Sequence, residues 1–141
     1  MASNFNHWAK VAEVLPDVLG EIVKDTSIAA VANIQGEINA NGQVVTGAMR
    51  GNVYYTTSER STYGQGQAPT SPGSYLLPEH ARPSDKTTAY ISAAVNYSVY
   101  QNWGTRYLAA RPFFEPGIER TRPYFEQQLG TLDTKLAEAI R

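Results

Sequence analysis

Apolar residues recur at spacings of three and four along the first third of the chain. Trp8, Val11, Leu15, Val18, Leu19 and Ile22 fall on one face of a helix. Pro16 interrupts that face, because it lacks the donor for the preceding turn and its ring crowds the carbonyl four residues back. The pattern predicts a kinked or broken helix running to about Asn39. Gly20 and Gly36 weaken it by about 1 kcal/mol each relative to alanine.

Asn41-Gly42 is a turn signal, and the stretch from Gln43 to Thr57 is rich in β-branched and aromatic residues. A strand is predicted over about Asn52 to Thr57 and a second over Thr88 to Ala94, able to pair as an antiparallel hairpin. Between them, Ser58 to Lys86 carries Pro69, Pro72, Pro78 and Pro83 with Gly64, Gly66 and Gly73. Loops of this length within a compact domain are uncommon and are either functional or disordered. Tyr63, Tyr75, Leu76, Leu77 and His80 are odd residues for a solvated linker. They make the segment a candidate interface arm that orders against a neighbour, with plain mobility as the alternative. Loop closure costs only about 0.6 kcal/mol per doubling of length, so replacing Gly64 to Ser84 with a short linker is expected to leave the isolated domain nearly as stable.

The last third is helical again. Ile118, Phe125, Leu129, Leu132, Leu136 and Ile140 form a stripe along one face of a long helix. Pro123 suits a first turn better than an interior, which puts a start or a bend near Thr121. The reading is one α+β domain over residues 1–141. It has a long N-terminal helix, a small antiparallel sheet with the inserted loop 58–86, a short helix and a long C-terminal helix.

Composition narrows the function. With 12 Lys+Arg against 13 Asp+Glu and a net charge of -1, the chain lacks the basic footprint of a protein that binds by neutralising phosphates. There is no cysteine, which removes disulfides, thiolate metal sites and cysteine nucleophiles. His7 and His80 are far apart in sequence, so one subunit cannot build a multi-histidine metal cage. No apolar run approaches the roughly 18–20 residues that span a bilayer, and Met1 to Lys10 lacks the order of a signal peptide. A soluble protein made in a cytoplasm, without membrane contact, is expected.

Candidate chemistry is sparse. A nucleophilic triad needs a base in reach of a hydroxyl, and only the two histidines could serve as a histidine base. Glu115, Glu119 and Glu126 recur at helical spacing, but Arg111, Arg120 and Arg122 interleave with them and point to an ion-paired helix or a subunit interface. Gly64-Gln65-Gly66-Gln67 precedes no helix and has no nearby phosphate-binding lysine, so it is not a phosphate loop. Tyr97, Tyr100, Trp103 and Tyr107 would form one aromatic stripe on a helix. Stacking on single-stranded nucleic acid would want interleaved cations, and only Arg106 is present, so core or intersubunit packing is the better reading. No catalytic residue, metal set or cofactor is assigned.

The most distinctive stretch runs Tyr97-Ser-Val-Tyr100-Gln-Asn-Trp103-Gly104-Thr105, followed by Ala109-Ala-Arg111-Pro112-Phe113-Phe-Glu-Pro116-Gly117-Ile118. It resembles the tail-completion (neck) family of long-tailed bacteriophages, the group that includes the minor tail protein Z of lambda-like phages. In that family a short Tyr-Ala-x-x-x-Glu-Phe-Gly-Thr helix leads into an Ala-x-Pro-Phe-x-x-Pro-Ala turn that opens the last helix. Asn102-Trp103 stands here for Glu-Phe, and Gly117 for the final Ala. Val45-Thr46-Gly47-Ala48-Met49-Arg50 is similar to the family's Asp-Thr-Gly-x-Leu-Arg, with Val45 in place of the acid. Order and spacing agree along nearly the whole chain.

The same residues make physical sense alone. Gly104 can end the short helix with a positive φ, Thr105 can bond locally, and Pro112 and Pro116 pin the backbone while Phe113 and Phe114 enter a core. That is a rigid elbow, read as fold architecture rather than as a ligand site. If Trp103 and Phe113 are both core anchors, replacing either by alanine is expected to cost about 3–5 kcal/mol.

What the resemblance implies is a structural virion protein at the head-tail junction, acting in tail assembly and head-tail joining. It would be made in the bacterial host cytoplasm and built into a homo-oligomeric ring, six-fold to match a tail. Its partners would be other copies of itself, head-completion or portal-side proteins, and tail tube or terminator proteins. Double-stranded DNA would pass through the lumen without specific binding. A tail terminator or a head-closure (stopper) protein is the alternative within that region. A small phage hydrolase is the rival from another class, and the absence of a convergent acid, base or metal set argues against it. Oligomerisation is expected on physical grounds too, because so small a sheet leaves unpaired edges.

Overall fold

The computed structural model describes residues 2–43 and 47–141, with side chains from Trp8 onward in the first helix. Thr46, singled out above with Val45, lies outside the described residues, as does the side chain of His7.

Helix α1 spans Ala2–Ala40 and runs through Pro16 without a break. Of the two outcomes expected there, a kink or a break, the break does not occur. Pro16 lies on the exposed side and removes a single bond from a helix of 39 residues, whose cooperativity absorbs the loss. The helix ends where the Asn41-Gly42 signal predicts. Gly42 takes φ 68, its N–H donates to Asn39 O, and the Gln43 N–H donates to Ile38 O, which together close a left-handed C-terminal cap.

Gly47, at φ 86, leads into the single turn of α2, Ala48–Gly51. Strand β1, Val53–Thr57, then pairs antiparallel with β2, Ala89–Ala93, from Val53 opposite Ala93 to Thr57 opposite Ala89. Both strands fall within a residue of their expected bounds.

Strand β1 is covered on both faces, which explains why all five of its residues are buried rather than alternate ones, whereas β2 is only partly covered. One face of the sheet carries Val53 and Ile91 onto α1. The other carries Tyr54, Thr56 and Tyr90, and the loop 58–88 covers it. Tyr63 packs edge-on against Tyr54, and its hydroxyl donates to Leu77 O at 2.7 Å. The Tyr54 hydroxyl accepts the His80 N–H at 3.0 Å, the His80 ring stacks on Tyr90, and Pro83 is buried. The loop also extends the sheet at both margins. The Thr62 N–H donates to Tyr55 O along the outer edge of β1, and Leu77 N–H to Ala94 O beyond the end of β2. The segment is thus ordered against the sheet of its own subunit. At its end the Asp85 carboxylate accepts bonds from the Thr88 and Thr87 hydroxyls and the Thr87 N–H, which hold its pKa below the usual value.

Helix α3, Ser98–Trp103, is followed by α4, Phe114–Gly130, and α5, Leu132–Ala139. The last helix therefore starts at Phe114 rather than near Thr121, keeps Pro123 in its interior, and is divided at Thr131. The Thr131 hydroxyl donates to Gln128 O, a local bond that competes with the helical ladder just after Gly130. Helix α4 lies antiparallel to α1, with Gly117 against Ile34 at one end and Phe125 beside Val23 further along. Where they cross sits the core of Ile34, Ile38, Met49, Val53 and Phe113. Among the described residues no helix is long and apolar enough to cross a membrane.

Candidate functional site

The stretch from Tyr97 to Gly117 folds into the elbow its sequence suggested. Gly104 ends α3 at φ 80. A Cβ there would lie 2.6 Å from Ala110 N and 2.7 Å from Leu108 O, so the returning chain leaves room only for glycine. The Thr105 hydroxyl accepts the N–H groups of Tyr107 and Leu108 at 3.1 and 3.0 Å, and the Thr105 N–H donates to Leu108 O. Pro112 and Pro116 flank Phe113, which is 1% exposed, while Phe114 is half-buried against the core.

The residue that holds the elbow shut is Asn102, and the sequence reading passed over it. Asn102 Oδ1 accepts the backbone N–H of Phe113 at 2.9 Å and of Phe114 at 3.0 Å, and its amide donates to the Glu115 carboxylate at 2.9 Å. Phe113 at the start of α4 has no side-chain cap of its own. Asn102 supplies that cap from the preceding helix, meeting two of the donors that a helix start leaves unpaired. The available signal was its place beside Trp103, where the resembled family carries an acid.

A second clasp was also missed. The Asn41 amide donates to Pro112 O at 2.9 Å, Gln43 Nε2 donates to Arg111 O at 3.2 Å, and Arg111 returns a bond from Nη1 to Asn41 O at 3.1 Å. The end of α1 is thereby tied to the Arg-Pro-Phe turn. Gly117 completes the packing. A Cβ there would sit 2.5 Å from Ile34 Cγ1 and 2.7 Å from Ile34 Cα, so glycine sets how closely α1 and α4 approach. Arg50 joins this end through Nη1 to Asn39 Oδ1 at 3.0 Å, with Gly47 one turn before it.

The aromatic residues of the motif go the other way. Trp103 is 66% exposed, Tyr100 54% and Tyr107 89%. Only Tyr97 packs against the core, where burial raises its phenol pKa. Trp103 is therefore not a core anchor. A six-residue helix buries one narrow face, and here Ser98 and Asn102 occupy it. Of the loop residues, Tyr63 and Leu76 are half-buried. Tyr75 and Leu77 stay exposed, and His80 is occupied in covering the sheet.

A cavity of about 470 Å³ lies between α1 and the end of β1. Its two lysines are paired, Lys86 with Asp17 at 2.6 Å and Lys24 with Glu21 at 2.9 Å, and each lysine pKa is raised by its partner. Two carboxylates of α4 are also engaged, Glu115 by the Asn102 amide and Glu119 by an ion pair with Arg122. Arg120 reaches Glu37 of α1 at 2.6 Å. Among the described residues no three metal-ligating side chains come together.

The fold and site define a small α+β domain whose elbow is locked by polar groups inside and presents aromatic rings outside. No protein-family model, no curated protein and no solved structure matches the chain.

Proposed function

We propose that the protein is a structural subunit of a tailed-phage virion at the head-tail junction, a tail-completion or neck protein that works by assembly and catalyses no reaction. The observation that carries this reading is the elbow. The Trp-Gly-Thr and Arg-Pro-Phe motifs, which resemble the tail-completion family, form an elbow fixed from inside by Asn102 and Phe113, and Tyr100, Trp103 and Tyr107 are held outward from it. A monomer has no use for three large exposed rings on a preorganised support, whereas a ring subunit needs such a surface. The subunits then form a homo-oligomeric ring, six-fold to match a tail, between the head-side proteins and the tail tube. The net charge of -1 suits a lumen through which DNA passes without being held.

The test is genetic. Removing this chain from the phage that encodes it should leave filled heads and finished tails that fail to join, or particles that lose their DNA, both visible by electron microscopy. Normal yields of joined, infectious particles would sink the reading. Genes for portal, capsid and major tail proteins are expected beside this one.

A further inference from the structure

The two edges of the sheet differ. On β1 the Thr57 N–H donates to Arg60 O and Tyr55 O accepts the Thr62 N–H, so the chain's own loop occupies that edge. The same bonds fix which backbone groups face which way. Tyr55 and Thr57 face outward, so Tyr54 and Thr56 face β2, and their register partners Ser92 and Tyr90 face β1. Ala94 agrees with this alternation, since its N–H donates to Asn52 O. Ala89, Ile91 and Ala93 therefore turn their N–H and C=O groups away from β1, and among the described residues no hydrogen bond reaches them.

This edge is unguarded as well as unpaired. Exposed edges are ordinarily protected by a charge, a proline, a bulge or a covering segment, and Ala89–Ala93 contains no charged residue and no proline. Helix α4 runs beside the edge without closing on it. Ala89 and Ile91 share a groove of about 340 Å³ with Ala30, Ile118 and Phe125, and Ala93 shares a second of about 210 Å³ with Phe114. An apolar groove alone does not specify its occupant. A row of outward donors and acceptors does, because only another extended main chain repeats them at the same interval.

A second copy of β2 is not that strand. It carries α1 across its own inner face, and beside the open edge that place is already held by α4 of the first copy. A helix needs about 10 Å where adjacent strands lie about 4.8 Å apart. A strand with no helix beneath it meets no such obstacle, and α4 then packs against its inner face.

We propose that β2 binds an extended segment of a separate partner protein as a third strand, paired through Ala89, Ile91 and Ala93, its alternate apolar side chains lying on Ile118 and Phe125. The segment matches the five residues of β2 and is polar on the face that flanks Tyr90 and Ser92. The site stands apart from any role at the head-tail junction.

Residue-resolved amide exchange on the full chain tests it, with the capped peptide Lys-Val-Thr-Val-Thr-Val-Lys as probe. In the chain alone Ile91 and Ala93 should exchange at least about tenfold faster than Tyr90 and Ser92. The peptide at about ten times its Kd should slow Ile91 and Ala93 by about tenfold and leave Tyr90 and Ser92 unchanged. N-methylating one alternate set of peptide amides should abolish that protection and methylating the other set should preserve it, since a strand turns successive donors to opposite sides. Ala89→Lys, an inward charge at a half-buried edge position, should weaken binding by about tenfold and keep the melting temperature. Equal behaviour of the two methylated peptides would mean that the grooves, not the edge, make the contact. Ile91 and Ala93 as protected as their neighbours without peptide would mean that this subunit or a second copy already closes the edge. Either result, or a peptide that slows no amide, overturns the proposal.

Discussion

Asn102 and Trp103 are adjacent on one turn of α3 and face opposite environments. The amide is 4% exposed and ties two helices together, while the indole is 66% exposed. Hydrophobicity alone would reverse the assignment. The inner position is set by the start of α4, where two backbone N–H groups enter the interior and need an acceptor, a requirement that an indole cannot meet. The elbow's interior is therefore chosen by hydrogen bonding and its exterior left to apolar rings.

That contrast can be broken at its strongest point first. Phe113→Ala empties the core site between Ile34, Ile38 and Met49 and should cost about 3–5 kcal/mol in chemical denaturation. A loss below about 1 kcal/mol would place the elbow outside the core.

Replacing Gly64 to Ser84 with a short linker comes next. The deletion removes His80, the buried Pro83 and the Leu77 carbonyl that holds the Tyr63 hydroxyl, and so uncovers Tyr54, and stability should fall by at least about 2 kcal/mol. A thermal melt identical to wild type would show that the isolated domain does not need the loop, as loop-closure entropy alone suggested.

Asn102→Ala should cost about 2–3 kcal/mol, since it leaves the buried Phe113 N–H without a partner, whereas Asn102→Asp retains that acceptor. Equal melting temperatures for Asn102→Ala and wild type would mean the cap contributes nothing. The smallest effect is expected at Trp103→Ala, within about 0.5 kcal/mol in the isolated subunit, as for surface changes generally. A loss of 3 kcal/mol or more would return Trp103 to the core and remove the contrast with its neighbour.

Much of this protein was determined by local chemistry in the sequence. The spacing of apolar residues marks α1 to its end, Asn41-Gly42 marks the cap, and β-branched runs mark both strands. Gly104 and Thr105 mark the turn, because a positive φ and a short side-chain bond are properties of one or two residues. What only the tertiary structure decided involves partners far apart in the chain. The loop 58–86 reads as an arm for a neighbour or a mobile segment until it is found covering the outer face of its own sheet. Trp103 reads as an anchor until Asn102 is seen to meet the N–H groups of Phe113 and Phe114. Gly117 reads only as a replacement for the alanine of the resembled motif until Ile34 is found against it. Propensity and periodicity act within a few residues, whereas the demand that every buried donor be paired and every sheet face be covered is settled only when distant segments meet.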